Sequence, residues 1–189
     1  MVSGVSIFFY KVINKGRVVL EMQRIHKQSI NEVLPYFEAA AMIAKQASCQ
    51  RAKCGTVIVQ NNKIIGEGYN GPALSNESSR TCNRQFDLSL KPKYDKTCCI
   101  HAEWRAILDA CKRNAAVISG SVLYFMRIDQ KGNFTDAGEP YCTTCSRLAL
   151  ESGVEKFALW NDAGADIYSA LEYNNKSYDF YLPTQQSKT

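Results

Sequence analysis

The sequence predicts an α/β domain in three layers, α/β/α, with a mixed central sheet of about five strands. Three observations predict it. Apolar periodicity runs helix, strand, strand, helix, strand, helix, strand, and such alternation covers a sheet with helices on both faces. The 189 residues suit one ordinary domain with a sizeable core. Hydrophobic residues at 46% and charged residues at 22% exclude a disordered or fibrous chain, and no repeat, low-complexity tract or linker divides it.

Residues 1–27 read as an N-terminal extension or edge hairpin ahead of a domain at 28–189. Ser6–Ile13 and Arg17–Met22 are β-rich runs around Asn14-Lys15-Gly16, with Gly where a positive φ is wanted. From Asn31 to Ser48, Val33, Leu34, Phe37, Ala40, Ala41, Ile43 and Ala44 recur at helical spacing. Ser29 or Asn31 would cap this helix, and Pro35 falls in its first turns, where a missing N–H does least harm. Gly55–Gln60 and Ile64–Gly68 are strands joined by the tight turn Gln60-Asn61-Asn62-Lys63.

Residues 69–99 make a long polar loop that opens with Tyr69-Asn70-Gly71-Pro72. It carries Arg80, Arg84, Lys91, Lys93 and Lys96 among Phe86 and Tyr94. Long loops in compact domains are usually functional, so a substrate-facing surface is expected here, against the plainer reading of a solvated face. Ala102–Lys112 is helical with Ala106, Ile107 and Ala110 inward, and Ser121–Ile128 is a strand. Cys142–Ser152 is a helix stopped by Gly153, and Val154–Trp160 a further strand. The tail after Asn161 has no clear period. Its Tyr168, Tyr173, Tyr178, Phe180 and Tyr181 are too aromatic for solvent, so it packs back as a helix or forms a partner surface.

Eight cysteines are many for this length. No secretory leader pattern opens the chain, and the apolar run from Val5 to Val12 is too short to span a membrane. The expectation is a reducing, cytoplasmic compartment, where clustered Cys are metal ligands or small buried hydrophobes before they are disulfides. A net charge of +5 suits a phosphate-bearing substrate and, less strongly, an RNA surface.

Two motifs carry chemistry. His101-Ala102-Glu103 opens one helix, and Pro140-Tyr141-Cys142-Thr143-Thr144-Cys145 opens another. One His and two Cys are the ligand set of a zinc ion that keeps its fourth position open for water. The C-x-x-C spacing lets both sulfurs reach one ion from a first helical turn. A Glu two residues after the His can carry the proton of that water to a substrate nitrogen and a departing amine. Alone, either motif is weak; together, H-x-E and then P-x-C-x-x-C about 40 residues later match the known pattern of zinc deaminases.

On these residues, and on Gly68-Tyr69-Asn70-Gly71, the chain resembles the cytidine and deoxycytidylate deaminase superfamily over roughly residues 31–160. The Gly-Tyr-Asn-Gly turn is most similar to deoxycytidylate deaminases. The resemblance implies a cytidine-deaminase-like fold, Zn2+ on His101, Cys142 and Cys145, and Glu103 as proton shuttle. It implies that Asn70 holds the sugar hydroxyl and the Ala102 N–H the base carbonyl, with Tyr69 and Tyr141 also at the substrate. It implies hydrolysis of deoxycytidylate to deoxyuridylate and ammonia by a homo-oligomer. Two departures stand close to the pocket: Tyr141 separates Pro140 from Cys142, and Arg105 stands where Asn is common. Trp104 packs under the helix or lines the pocket. Some similar enzymes hold a second, structural zinc, for which Cys49, Cys82 and Cys98 are conceivable ligands, against the reading of buried thiols.

Two other functions fit parts of the pattern. A deaminase of a base in RNA or single-stranded DNA would use the positive charge and the tyrosine-rich tail; a different free nucleoside or base is a further variant. A non-catalytic zinc-stabilised module would need four ligands and no acid/base group, which Glu103 argues against.

Overall fold

The computed structural model describes residues 11–14, 17–20, 22–82 and 98–180. Strands β1 (Lys11–Asn14) and β2 (Arg17–Leu20) pair antiparallel as a separate two-stranded sheet. Strand β3 (Gln23–His26) then joins the edge of the main sheet.

Helix α1 spans Leu34–Ala44. It begins later than Asn31 because Pro35 has no N–H to offer the Asn31 carbonyl, so an α-ladder cannot run through that point. A 3-10 turn at Lys27–Glu32 fills the gap, and Val33 N–H bonds to the Ile30 carbonyl at 3.0 Å in place of a side-chain cap. Strands β4 (Lys53–Gln60) and β5 (Lys63–Tyr69) form a hairpin whose turn residues, Asn61 and Asn62, have φ of 50° and 60°. Both are left-handed, the conformation that matches the twist of paired strands and that Asn tolerates. Short β6 (Gly71–Pro72) pairs with β7 (Cys99–Ile100), and α2 (Ala102–Asn114) follows. Then come β8 (Ser121–Ile128), β9 (Phe134–Thr135), α3 (Thr143–Ser152), β10 (Val154–Asn161), β11 (Gly164–Ser169) and α4 (Ala170–Asp179).

The main sheet has seven strands rather than about five, in the order β3-β11-β10-β8-β4-β5 with β9 paired to β8. Only β10 and β8 run parallel. The additional strands escape a reading by periodicity for physical reasons. All six residues of β11 are buried, so no polar face alternates with an apolar one. β3 and β9 are too short to show a period.

Alternate residues of the central strands feed two cores. Val57, Val59, Tyr124, Met126 and Ala158 face α1, where Phe37, Ala40, Ala41 and Ala44 are buried. Ile58, Leu123, Phe125, Phe157 and Leu159 face α2, α3 and α4. The tail makes β11 and α4, capped by Ser169 Oγ accepting from Glu172 N–H at 3.1 Å. It packs through Tyr173, stacked on Phe157 with ring centroids 4.1 Å apart. Among the described residues no helix is long and apolar enough to cross a membrane.

Backbone contact fixes where α2 starts. A Cβ on Gly66 or Gly68 would collide with the carbonyls of Ala106 or Ala102, so α2 lies directly on β5 because those positions are glycine. At the other face of the site, Gly153 at φ 86° ends α3 in a left-handed cap.

Candidate active site

His101 is the residue before α2, in extended conformation, and Cys142 holds the same place before α3. Two helix N-termini therefore meet, and their unpaired N–H groups favour negative charge at the meeting point. Three donor atoms converge there. His101 Nδ1 lies 3.2 Å from Cys145 Sγ and 3.4 Å from Cys142 Sγ, and the two sulfurs are 2.8 Å apart. Cys142 Sγ also accepts from the Cys145 N–H at 3.3 Å. Tetrahedral zinc sets sulfur and nitrogen donors roughly 3.4–3.8 Å apart, so this triangle fits one zinc ion once the sulfurs separate slightly. The Cys142 thiol pKa is lowered to about 5, first by its hydrogen bond with the Cys145 thiol and then by His101, against the opposing effect of burial. A thiolate is the form that binds metal.

Glu103 sits in the first turn of α2, 4% exposed, against Cys142 and Cys145 but outside the three-donor group. Burial pushes its carboxyl above the ordinary carboxylate range, partly opposed by His101. A carboxyl so placed holds a proton readily, as an acid/base group must.

The remaining sequence-predicted residues surround this centre. Ala102 is fully buried as the first residue of α2. Asn70 is fixed by backbone: its Oδ1 accepts from Cys54 N–H at 2.8 Å, and its Nδ2 donates to the Ala52 carbonyl at 2.9 Å. The Tyr69 hydroxyl lies 3.0 Å from Ser75 Oγ, and its ring carries the Arg105 guanidinium at 4.8 Å. Arg105 also donates to the carbonyls of Gly71 and Pro72, so the residue that departs from the usual Asn ties down the 69–75 turn. Tyr141 is half-buried with its ring 5.9 Å from Phe180, and burial raises its phenol. Trp104 is half-buried, 6.2 Å from the His101 ring, and its buried Nε1–H has no partner among the described residues.

Of the basic loop, Arg80 is described; Arg84, Phe86, Lys91, Lys93, Tyr94 and Lys96 lie outside the described residues. Cys82 and Cys98 come together, Sγ to Sγ at 3.3 Å, and Cys49 lies close by against Cys99. Cys99 was not anticipated, although its place beside Cys98 was a visible signal. Tyr173 is expected to pack back with the tail and is buried on α4; its electrostatic neighbours Glu103, Cys142 and Cys145 are what the tail's sequence did not indicate.

Comparison with known proteins agrees with this geometry. Residues 31–160 match the cytidine and deoxycytidylate deaminase zinc-binding region. The deoxycytidylate deaminase of Mycobacterium phage D29 is 32% identical over 128 residues, 64% of this chain and 88% of that protein. That of Schizosaccharomyces pombe is 26% identical over 157 residues, 80% of this chain and 44% of that protein. The chain thus spans less than half the length of the yeast relative. The dCMP deaminase from the cyanophage S-TIM5, in apo form, aligns with a TM-score of 0.46 at 23% identity, covering 67% of this chain and 80% of its own.

Proposed function

The chain belongs to the cytidine and deoxycytidylate deaminase family, and on that premise we propose that it hydrolyses deoxycytidylate to deoxyuridylate and ammonia. The observation that carries the reading is a His/Cys/Cys donor triangle between two helix N-termini with a buried glutamate against it. The deoxycytidylate deaminase names of its relatives support the substrate. His101, Cys142 and Cys145 would hold the zinc, which when bound supplies Lewis-acid activation of water near neutral pH.

The chain's own residues do the rest. A Glu103 oxygen takes a proton from the attacking water and delivers it to ring nitrogen 3; a second transfer, to the 4-amino group, lets ammonia leave as the carbonyl forms. The Ala102 N–H, in the first turn of α2, donates to the base carbonyl. Asn70, locked by backbone on both sides of its amide, offers a fixed group to the sugar. Tyr69 and Tyr141 bound the space that the pyrimidine enters. The net charge of +5 suits a monophosphate. The same reading has the protein working in the cytoplasm, where its eight cysteines stay out of disulfides, and as a homo-oligomer.

The test is a panel of deoxycytidylate, cytidylate, deoxycytidine, cytidine and a cytosine-containing oligonucleotide, followed by ammonia release and product mass. Deoxyuridylate formation at the highest kcat/KM is expected. Turnover of another member with none of deoxycytidylate would overturn the substrate and leave the chemistry.

A further inference from the structure

A row of residues crosses the sheet at the end that carries the site. The Asn70 N–H donates to the Cys54 carbonyl at 3.2 Å, Cys54 pairs with Arg127, and Arg127 pairs with Thr135. Paired residues of neighbouring strands point to the same face. For Cys54, Arg127 and Thr135 that is the α2 face, where Cys54 packs in one core with Leu123 and Phe125 of β8. We propose that Arg127, assisted by Thr135, binds the phosphate of the substrate and so selects a nucleotide over a nucleoside. The inference rests on the deoxycytidylate reaction proposed above.

Two polar groups of this row lack partners. Arg127 Nε and Thr135 Oγ1 are both buried with no hydrogen bond among the described residues. Half-buried Arg127 also makes no ion pair there. The Cys54 thiol beside it cannot neutralise it, because burial pushes that thiol up to about 12. A cation withdrawn from water without a counter-ion is costly, and a bound anion removes that cost. The competing reading is a structural cation that holds β9 against β8. Backbone pairing at Arg127–Thr135 and Ile128–Phe134 already does that, and it leaves the guanidinium Nε and the hydroxyl unexplained.

The position suits a phosphate. Arg127 is the penultimate residue of β8, at the carboxyl end of the strand, where α/β sheets bind their ligands. Cys54 has Glu103 among its electrostatic neighbours, and Tyr141 has both Glu103 and Cys54, so the row borders the space beside the acid. Neighbouring strands lie about 4.8 Å apart, which sets Arg127 roughly 10 Å across the row from Asn70. A nucleotide with its sugar at Asn70 carries its phosphate some way from that hydroxyl, within the reach of a long side chain coming from the β8 side. Arg105 and Arg80 are already committed, the first to the carbonyls of Gly71 and Pro72, the second to Glu77 and the Ser48 carbonyl. A guanidinium binds phosphate oxygens by charge-assisted hydrogen bonds, and a hydroxyl adds a further donor.

Steady-state kinetics of Arg127→Gln, Arg127→Lys and Thr135→Val on deoxycytidylate and deoxycytidine test this. In Arg127→Gln the ratio of kcat/KM for deoxycytidylate over deoxycytidine should fall by about 30- to 100-fold, carried by KM and not by kcat. Arg127→Lys, which keeps the charge, should recover part of that loss, and Thr135→Val should lose about 3- to 10-fold. An unchanged ratio overturns the assignment, as do equal losses on both substrates, the result of a purely structural role. If Arg127→Gln does not accumulate, a ratio unmoved in both other variants overturns it equally. Line broadening of inorganic phosphate in phosphorus NMR separates this inference from the proposed function. Broadening by the wild type that is lost in Arg127→Gln, in protein that fails to turn over deoxycytidylate, would sink the reaction and leave the anion site standing. Deoxycytidylate turnover with the ratio unmoved would do the reverse, and failure of both turnover and broadening would overturn both.

Discussion

The two thiol clusters of this molecule use the same element of side-chain chemistry in opposite ways. His101, Cys142 and Cys145 are delivered by two helix N-termini pressed onto a sheet, and both sulfurs are buried. Cys49, Cys82, Cys98 and Cys99 are half-buried and come from turns and a two-residue strand. The first has three donors, an acid beside them and a frame of two helices packed on the sheet. The second brings three thiols together, Cys82, Cys98 and Cys99, with Cys49 against Cys99 and Arg80 beside Cys82. The two clusters differ in the elements that carry their thiols and in the charged group beside them.

The sharpest way to break that contrast is at the acid. Glu103→Gln should lower kcat by about 10³-fold while zinc content stays unchanged, read by steady-state kinetics and metal analysis. Loss of zinc together with activity would make Glu103 a ligand and not an acid beside the donors.

Next in size is the packing of α4 on the sheet. Tyr173→Ala removes a ring stacked at 4.1 Å on Phe157 and should destabilise the fold by about 3–4 kcal/mol in urea unfolding. A cost below about 1 kcal/mol would mean that α4 is not part of the rigid frame.

The smallest effect is expected at Arg80→Ala, a loss of about 2–4 °C in melting temperature, equivalent to roughly 1 kcal/mol at this size. No change would remove the guanidinium from the second cluster's support.

Much of this was legible in the chain. The H-x-E and C-x-x-C motifs identified the donors because spacing within one helical turn is a local property, as is the cap at Gly153. Strands β4, β5, β8 and β10 were legible because their runs are long or alternate. Strand β11 was not, since burial on both faces removes the pattern that marks a strand. The start of α1 was misjudged because a 3-10 turn and an α-turn have similar apolar spacing until Pro35 separates them.

The sequence by itself determined which atoms can bind metal or move protons, because those are properties of side chains and of their spacing over a few residues. Only the tertiary structure decided that Cys49 comes against Cys99, and that Tyr173 has Glu103 among its electrostatic neighbours. Those partners are separated by 50 residues of chain between Cys49 and Cys99 and by 70 between Glu103 and Tyr173. Separations of that kind are closed by sheet order and by α2 lying on Gly66 and Gly68, which no local pattern encodes.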